Sequence, residues 1–328
     1  MTETKLTESP VCDPLEHSVA LPLRGVFYPL GFPLELSTNS NHVLEAAQEA
    51  WGSFQQMFSQ PPMQVRIAVG EDRMVPVPET CAHRAQAHLA AIVSDRHNFA
   101  FCDLERAFAF GWFSPATVEA HSWFRLYFLE KIANLILWQL HLTPLHAACV
   151  ARDGRGVLLC GESDAGKSTL AFACMRKGWT FIGDDATTLL RNSPDRMVLA
   201  NPGHIRFRED APQIFPELRG RHAQLRIPGK MTIEVCIQDL PGVSAACRCH
   251  AGAVIFLNRQ AGGPARLLPI PKDEALGRLL NAVALYPKEI HEQHTASLEN
   301  LLQAGAFQLD YRDLDAAVEQ LELLMRAG

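Results

Sequence analysis

Residues 156–168 read Gly156-Val157-Leu158-Leu159-Cys160-Gly161-Glu162-Ser163-Asp164-Ala165-Gly166-Lys167-Ser168. An apolar run of strand length enters a loop bounded by glycines, and the chain after the loop has helical character as far as Lys177. Gly178 is suited to stop that helix, and Arg176 and Lys177 suit the negative end of its dipole. The loop matches G-x-x-x-x-G-K-[ST], the Walker A pattern, in full. Each invariant position has a physical reason. Glycine permits torsions and close approaches that a side chain blocks. The loop N–H groups then converge into a concave nest for phosphate, at the positive end of the helix. Lys167 supplies a full charge to the β- and γ-phosphates, and the Ser168 hydroxyl suits Mg²⁺. The expected nucleotide-binding set is therefore Gly161, Glu162, Ser163, Asp164, Ala165, Gly166, Lys167, Ser168 and Thr169. A carboxylate at Asp164 would repel the ligand. Asp tolerates left-handed torsions, so its side chain is expected to turn outward.

Before the loop's own strand, Leu145–Ala151 is a second apolar run, and Asp153-Gly154 between the two runs is a turn signal. Downstream, Trp179–Gly183 reads as a strand ending in Asp184-Asp185. A strand end beside a phosphate loop is a natural place for a Mg²⁺ carboxylate. Adjacent side chains on an extended segment point in opposite directions, so one Asp can meet the metal while the other faces an acceptor hydroxyl. His146 opens the strand before the loop's own strand.

The remaining pattern is mixed α/β. Helices are expected at Asn41–Met57 with Asn41 as N-cap, at His83–Ser94, across Pro115–Leu140, at Lys272–Val283, at Ala296–Ala304 and at Leu314–Arg326. Strands are expected at Met63–Val69, Phe99–Asp103, Arg106–Trp112, Ala253–Leu257 and Phe307–Tyr311. The 328 residues fit two domains, 48% of them are apolar, and the net charge of −6 argues against nucleic acid or an anionic membrane as partner. The N-terminus carries no apolar signal region, and Ile132–Leu145 is too short to span a bilayer, so a soluble cytoplasmic protein is expected. Nine scattered cysteines form no paired framework. Cys149, Cys160 and Cys174 read as core residues, and Cys247-Arg248-Cys249-His250 reads as a strand edge, because a second ligand pair at zinc spacing is missing.

The segment Leu145-His146-Ala147-Ala148-Cys149-Val150, the run Gly154–Cys160, the loop, and Gly178-Trp179-Thr180-Phe181-Ile182-Gly183-Asp184-Asp185 together resemble the HPr kinase/phosphorylase catalytic domain, closest in character to the HPr-kinase-related bacterial kinases. The match is specific over about residues 143–190 and weaker from 200 to 326. The resemblance implies an α/β nucleotide domain similar to that of phosphoenolpyruvate carboxykinase, with a mixed sheet, and ATP-dependent phosphorylation of a hydroxyl, commonly a serine. It implies Asp184 as base, Asp185 at the metal or acceptor site with Ser168, and His146 orienting the Asp184 carboxylate. It also implies an arginine from Pro202-Gly203-His204-Ile205-Arg206-Phe207-Arg208 near the transferring group, with Arg206 favoured over Arg208 and Lys230 weaker. Asp164 replaces a glycine usual in the family's loop, the Gly-rich signature of the bifunctional enzymes has no clear copy, and the N-terminal region differs. The expected organisation is a flexible tail (1–18), an N-terminal α+β accessory domain (19–142) and an HPr-kinase-like ATP-binding domain (143–328). The expected partners are ATP with Mg²⁺ and a hydroxyl-bearing acceptor, with homo-oligomerisation open. The rival readings are a P-loop ATPase that uses water and a nucleotide-sensing module without turnover.

Overall fold

Alternation of apolar and polar residues at period two builds most of the first third of the chain. The computed structural model describes residues 19–226, 230–281, 283 and 287–327; the tail expected over 1–18 and the Lys230 side chain lie outside the described residues. The elements up to residue 113 are β1 (Leu23–Phe27), β2 (Leu34–Thr38), α1 (Asn41–Trp51), β3 (Met63–Val69), β4 (Ala82–Gln86), β5 (Leu89–Asp95), β6 (Asn98–Asp103) and β7 (Phe108–Phe113). The strands form a seven-stranded sheet in the order β1-β2-β3-β7-β6-β5-β4. Here the helix expected over His83–Ser94 is two strands. Its alanines look helical, but Ala90 and Ile92 are buried and pair with Cys102 and Ala100 across β6, so cross-strand burial overrides propensity. Helix α1 starts after Ser40 and stops at Trp51, short of Met57.

The long helix expected over Pro115–Leu140 is broken into α2 (Pro115–Glu119), α3 (His121–Phe124), a π-turn (Arg125–Leu129) and α4 (Glu130–Leu140). The break falls at Ala120, whose ψ of 66° is not helical. The π-turn buries Arg125, whose Nη2 lies 3.3 Å from Glu234 and whose Nε lies 3.6 Å from Glu130. A helix read from apolar spacing alone gives no sign of such an inward-facing cation.

The second half contains β8 (Leu142–Arg152), β9 (Arg155–Cys160), α5 (Lys167–Arg176), β10 (Thr180–Gly183), β11 (Ala186–Leu190), β12 (Met197–Ala200), β13 (His204–Arg208), α6 (Ala211–Ile214), β14 (Gln224–Arg226) and β15 (Lys230–Cys236). It continues with β16 (Ser244–Ala245), β17 (Arg248–Arg259), β18 (Arg266–Pro269), α7 (Lys272–Leu280), α8 (Lys288–Leu301), β19 (Ala306–Tyr311) and α9 (Leu314–Ala327). Nine strands form one mixed sheet: β9, β17 and β19 run parallel, while β8 is antiparallel to β9, β10 and β11. This is the mixed sheet that the resemblance implies. Strands β13, β15 and β14 form a small separate sheet. Helix α8 begins eight residues before its expected start, behind Pro287, a helix-start signal that the apolar pattern hides.

Strand β8 is buried on both faces. Ala148 and Val150 pack with α5 and α9, and Ala147 and Cys149 pack with α7 and α8. Cys149, Cys160 and Cys174 are buried, as expected. No helix among the described residues is long and apolar enough to cross a membrane.

Candidate functional site

Hairpin register assembles the site. Asp153 and Gly154 both take positive φ, 52° and 77°, the geometry of a two-residue turn that matches strand twist. The hairpin pairs Ala147 with Cys160, so His146 lies beside the start of the loop. On the other side, β11 pairs Ala186 with His146, which brings Asp185 to the same end of the sheet. Three segments far apart in sequence therefore meet over the N-terminus of α5.

The loop glycines are enforced by space. Gly166 has φ 93°, and a Cβ there would lie 2.8 Å from the Tyr311 hydroxyl oxygen; a Cβ on Gly161 would lie 2.7 Å from that of Ala165. Asp164 takes a left-handed φ of 73°, and its carboxylate turns to Arg208, whose Nε donates to Oδ1 at 2.6 Å. Glu162 and Ser163 are exposed, Ala165 is half-buried, and Thr169 stands on the first turn of α5.

Lys167 is buried inside the loop. Its ammonium donates to the Gly161 and Glu162 carbonyls at 2.9 and 3.1 Å and to His146 Nε2 at 3.0 Å, and it lies 3.3 Å from Asp185 Oδ1. An ammonium has no acceptor, so His146 Nε2 must accept. A neutral His146 then carries its proton on Nδ1, which faces Asp185 Oδ1 at 3.3 Å.

The adjacent carboxylates diverge where the backbone bends between β10 and β11. Asp184 is 6% exposed and points at α5: Ser168 Oγ donates to Oδ1 at 2.6 Å, and the Arg206 backbone N–H donates to Oδ2 at 2.9 Å. Burial pushes the Asp184 carboxyl above its ordinary range; the Ser168 hydroxyl and Arg206 pull it back, and the neighbouring Asp185 charge adds to the rise. The Asp185 side chain is 57% exposed. Thus His146, expected beside Asp184, stands beside Asp185, and Ser168, expected with Asp185, stands with Asp184. The β8–β11 register is the reason: it aims Asp185 along the edge where His146 lies.

Arg206 reaches the site differently from the expectation. Its guanidinium is held by Glu234, with Nε to Oε2 at 2.8 Å, and only its backbone amide touches Asp184. Arg208 is the arginine whose guanidinium meets the loop. The Cys247–His250 segment does not converge: Cys249 Sγ faces Cys149 Sγ at 3.7 Å while His250 Nδ1 faces Asp195 at 3.2 Å. Tyr311 and Arg125 were missed by sequence reasoning, because nothing local to either marks a neighbour more than 100 residues away.

A cleft of about 530 Å³ opens beside the loop, lined by Leu145, His146, Glu162, Phe256 and Arg278 among others. The hard oxygen donors Ser168 and Asp184, adjacent and next to the lysine, fit Mg²⁺.

Strand, glycine loop, helix N-terminus and paired carboxylates define a phosphate-loop α/β protein. No family model matches the chain. Over 94 residues it is 34% identical to the HPr kinase/phosphorylases of Thermoanaerobacter sp. and Thermoanaerobacter pseudethanolicus, and so is related to these kinases. That stretch is 29% of this chain, and the chain spans only 26% of the length of these curated relatives. Among solved structures, the Hpr(Ser) kinase/phosphatase from Coxiella burnetii aligns with 56% of this chain and 94% of its own, at a TM-score of 0.31 and 16% identity.

Proposed function

We propose that this chain is an ATP-dependent kinase that moves a phosphoryl group to a hydroxyl, serine-like in chemistry, on a protein, peptide or small molecule. The observation that carries the reading is the pair of carboxylates in two environments over one phosphate loop: Asp184 sealed against Ser168, Asp185 open beside Lys167 and His146. Residues 143–328 form the ATP-binding domain, and 19–142 an accessory domain that serves acceptor recognition.

Lys167 exchanges its loop carbonyls for phosphate oxygens when the triphosphate enters. Ser168 and Asp184 hold Mg²⁺, which neutralises charge on the phosphates when bound. Asp185 accepts the acceptor's hydroxyl proton; a base must lie within hydrogen-bond reach of it, and the half-exposed carboxylate meets that requirement better than the buried one. His146 orients Asp185 through Nδ1. Arg206 acts on Asp184 through its amide and its charge, and Arg208 is placed to swing from Asp164 to the phosphates. The exposed side of Asp185 leaves room for an acceptor, which a nucleotide sensor has no need of.

The test incubates the purified full-length chain with γ-labelled ATP, Mg²⁺ and panels of proteins, peptides and hydroxyl metabolites. Label on an organic acceptor, lost in Asp185→Asn while ATP still binds, supports the reading. Inorganic phosphate as the sole labelled product across the panels would make the chain an ATPase, and tight ATP binding with no ADP formed would make it a sensor.

A further inference from the structure

A second cluster of metal-ligating side chains lies far along the sequence from the phosphate loop. Among the described residues, His42, Glu45 and His121 are a group whose ligand atoms all fall within 4.8 Å of one another. His42 and Glu45 are three apart on α1 and so share a face, and His121 opens α3, which packs against it.

The distances describe a coordination face. His42 Nδ1 and His121 Nε2 are 3.3 Å apart, His42 Nδ1 and Glu45 Oε2 are 3.3 Å apart, and His121 Nε2 and Glu45 Oε2 are 3.7 Å apart. Donors at about 2.0–2.1 Å from a tetrahedral zinc ion are separated by about 3.3–3.4 Å. The triangle therefore needs adjustments of a few tenths of an ångström.

The independent observation is behind the ring. His121 Nδ1 lies 2.7 Å from Glu49 Oε1. That carboxylate holds the Nδ1 proton and leaves the Nε2 lone pair facing His42 and Glu45. A carboxylate on the far nitrogen is the usual support of a ligating histidine, and it raises ligand basicity. Glu49 also lies one turn beyond Glu45 on α1, so the same helix supplies two ligands and the buttress. A cleft of about 330 Å³, lined by His42, Asn39, Ser40 and Arg73, opens beside the cluster and leaves a position for water.

We infer that His42, Glu45 and His121, with Glu49 supporting His121, form a binding site for a divalent transition cation, with Zn²⁺ the best fit to two imidazoles and a carboxylate. Softer sites would use thiolate, and Mg²⁺ or Ca²⁺ would take oxygen alone. A cation here ties α1 to α3, four residues before Arg125.

The test uses the tag-free, chelator-stripped full chain, titrated with Zn²⁺ by calorimetry and with Co²⁺ by visible spectroscopy. The expected result is one site per chain, with cobalt ligand-field bands and no sulfur charge-transfer band. His42→Ala and His121→Ala should each weaken binding at least about a hundredfold, and Glu49→Gln by about ten- to a hundredfold. All three positions are partly or fully exposed, and circular dichroism of each variant verifies folding. Equal Zn²⁺ affinity in wild type and His121→Ala, sulfur charge transfer, or no binding by the wild type overturns the inference.

Discussion

Asp184 carries two opposing demands. In the proposed role its side chain must be charged to hold a metal, yet burial raises its proton affinity above the ordinary carboxylate range. The folded state therefore binds the proton more tightly than the unfolded chain. Below the unfolded value, near pH 4, the group is neutral in both states and costs nothing; as pH rises through the raised folded value, the ionised carboxylate subtracts stability. Asp184→Asn removes that cost. The variant should melt at a higher temperature than wild type at about pH 7.5, with the gap closing toward about pH 4. Melting curves across that range check this. A variant less stable by a constant margin at every pH would mean that the Ser168 and Arg206 hydrogen bonds outweigh burial. The same variant should lose Mg²⁺-dependent turnover.

At the scale of the element, the strand–loop–helix unit was legible because its constraints are local. Gly161, Gly166, Lys167 and Ser168 stand at fixed spacing, and the Asp153-Gly154 turn marks the hairpin that delivers His146. The outward turn of Asp164 was legible too, from the torsions that Asp tolerates. Partner choice was not. Which carboxylate meets His146 depends on the β8–β11 register, and the arginine that reaches the loop depends on how β13 sits over it. The broken helix after Pro115 and the hairpin at residues 82–95 were hidden for a related reason: apolar spacing in an alanine-rich or aromatic-rich run does not record what packs against it. Tyr311 reaches the loop's last glycine from the far strand β19. Gly166→Ala should cost about 1–2 kcal/mol for its left-handed torsion alone, with a further cost from the 2.8 Å approach to the Tyr311 hydroxyl. Adding Tyr311→Phe should recover the second part and leave the first. Urea unfolding of the two variants measures both; no recovery in the double variant would place the strain elsewhere.

Over the whole molecule, a chain of charged contacts, buried at Arg125 and Asp184 and half-buried at Glu234 and Arg206, links the two large sheets. Arg125, from the π-turn after the first sheet, meets Glu234 on β15; Glu234 holds the Arg206 guanidinium; the Arg206 amide holds Asp184. Leu199 of the second sheet also joins the first sheet's apolar core. Removing one partner of a buried ion pair costs about 3–5 kcal/mol when it leaves a buried charge uncompensated; Glu234 keeps Arg206 at 2.8 Å when Arg125 is gone, so the cost here should be smaller. Arg125→Leu should lose stability by less than that in urea titration and should lower turnover as well, because Glu234, which frames Arg206, loses one of its two ion-pair partners. A variant of wild-type stability would show that Glu234 and Glu130 are reached by water without Arg125. An unchanged turnover in a destabilised variant would confine the chain of charges to a structural role.

The most direct measurement is calorimetric titration of the full-length chain with a non-hydrolysable ATP analogue, with and without Mg²⁺, alongside Lys167→Ala. The account predicts one site per chain, tightened by Mg²⁺, and weakened in Lys167→Ala by at least about tenfold, the equivalent of about 1.4 kcal/mol. Binding that is equal in the two proteins, or indifferent to Mg²⁺, would contradict it.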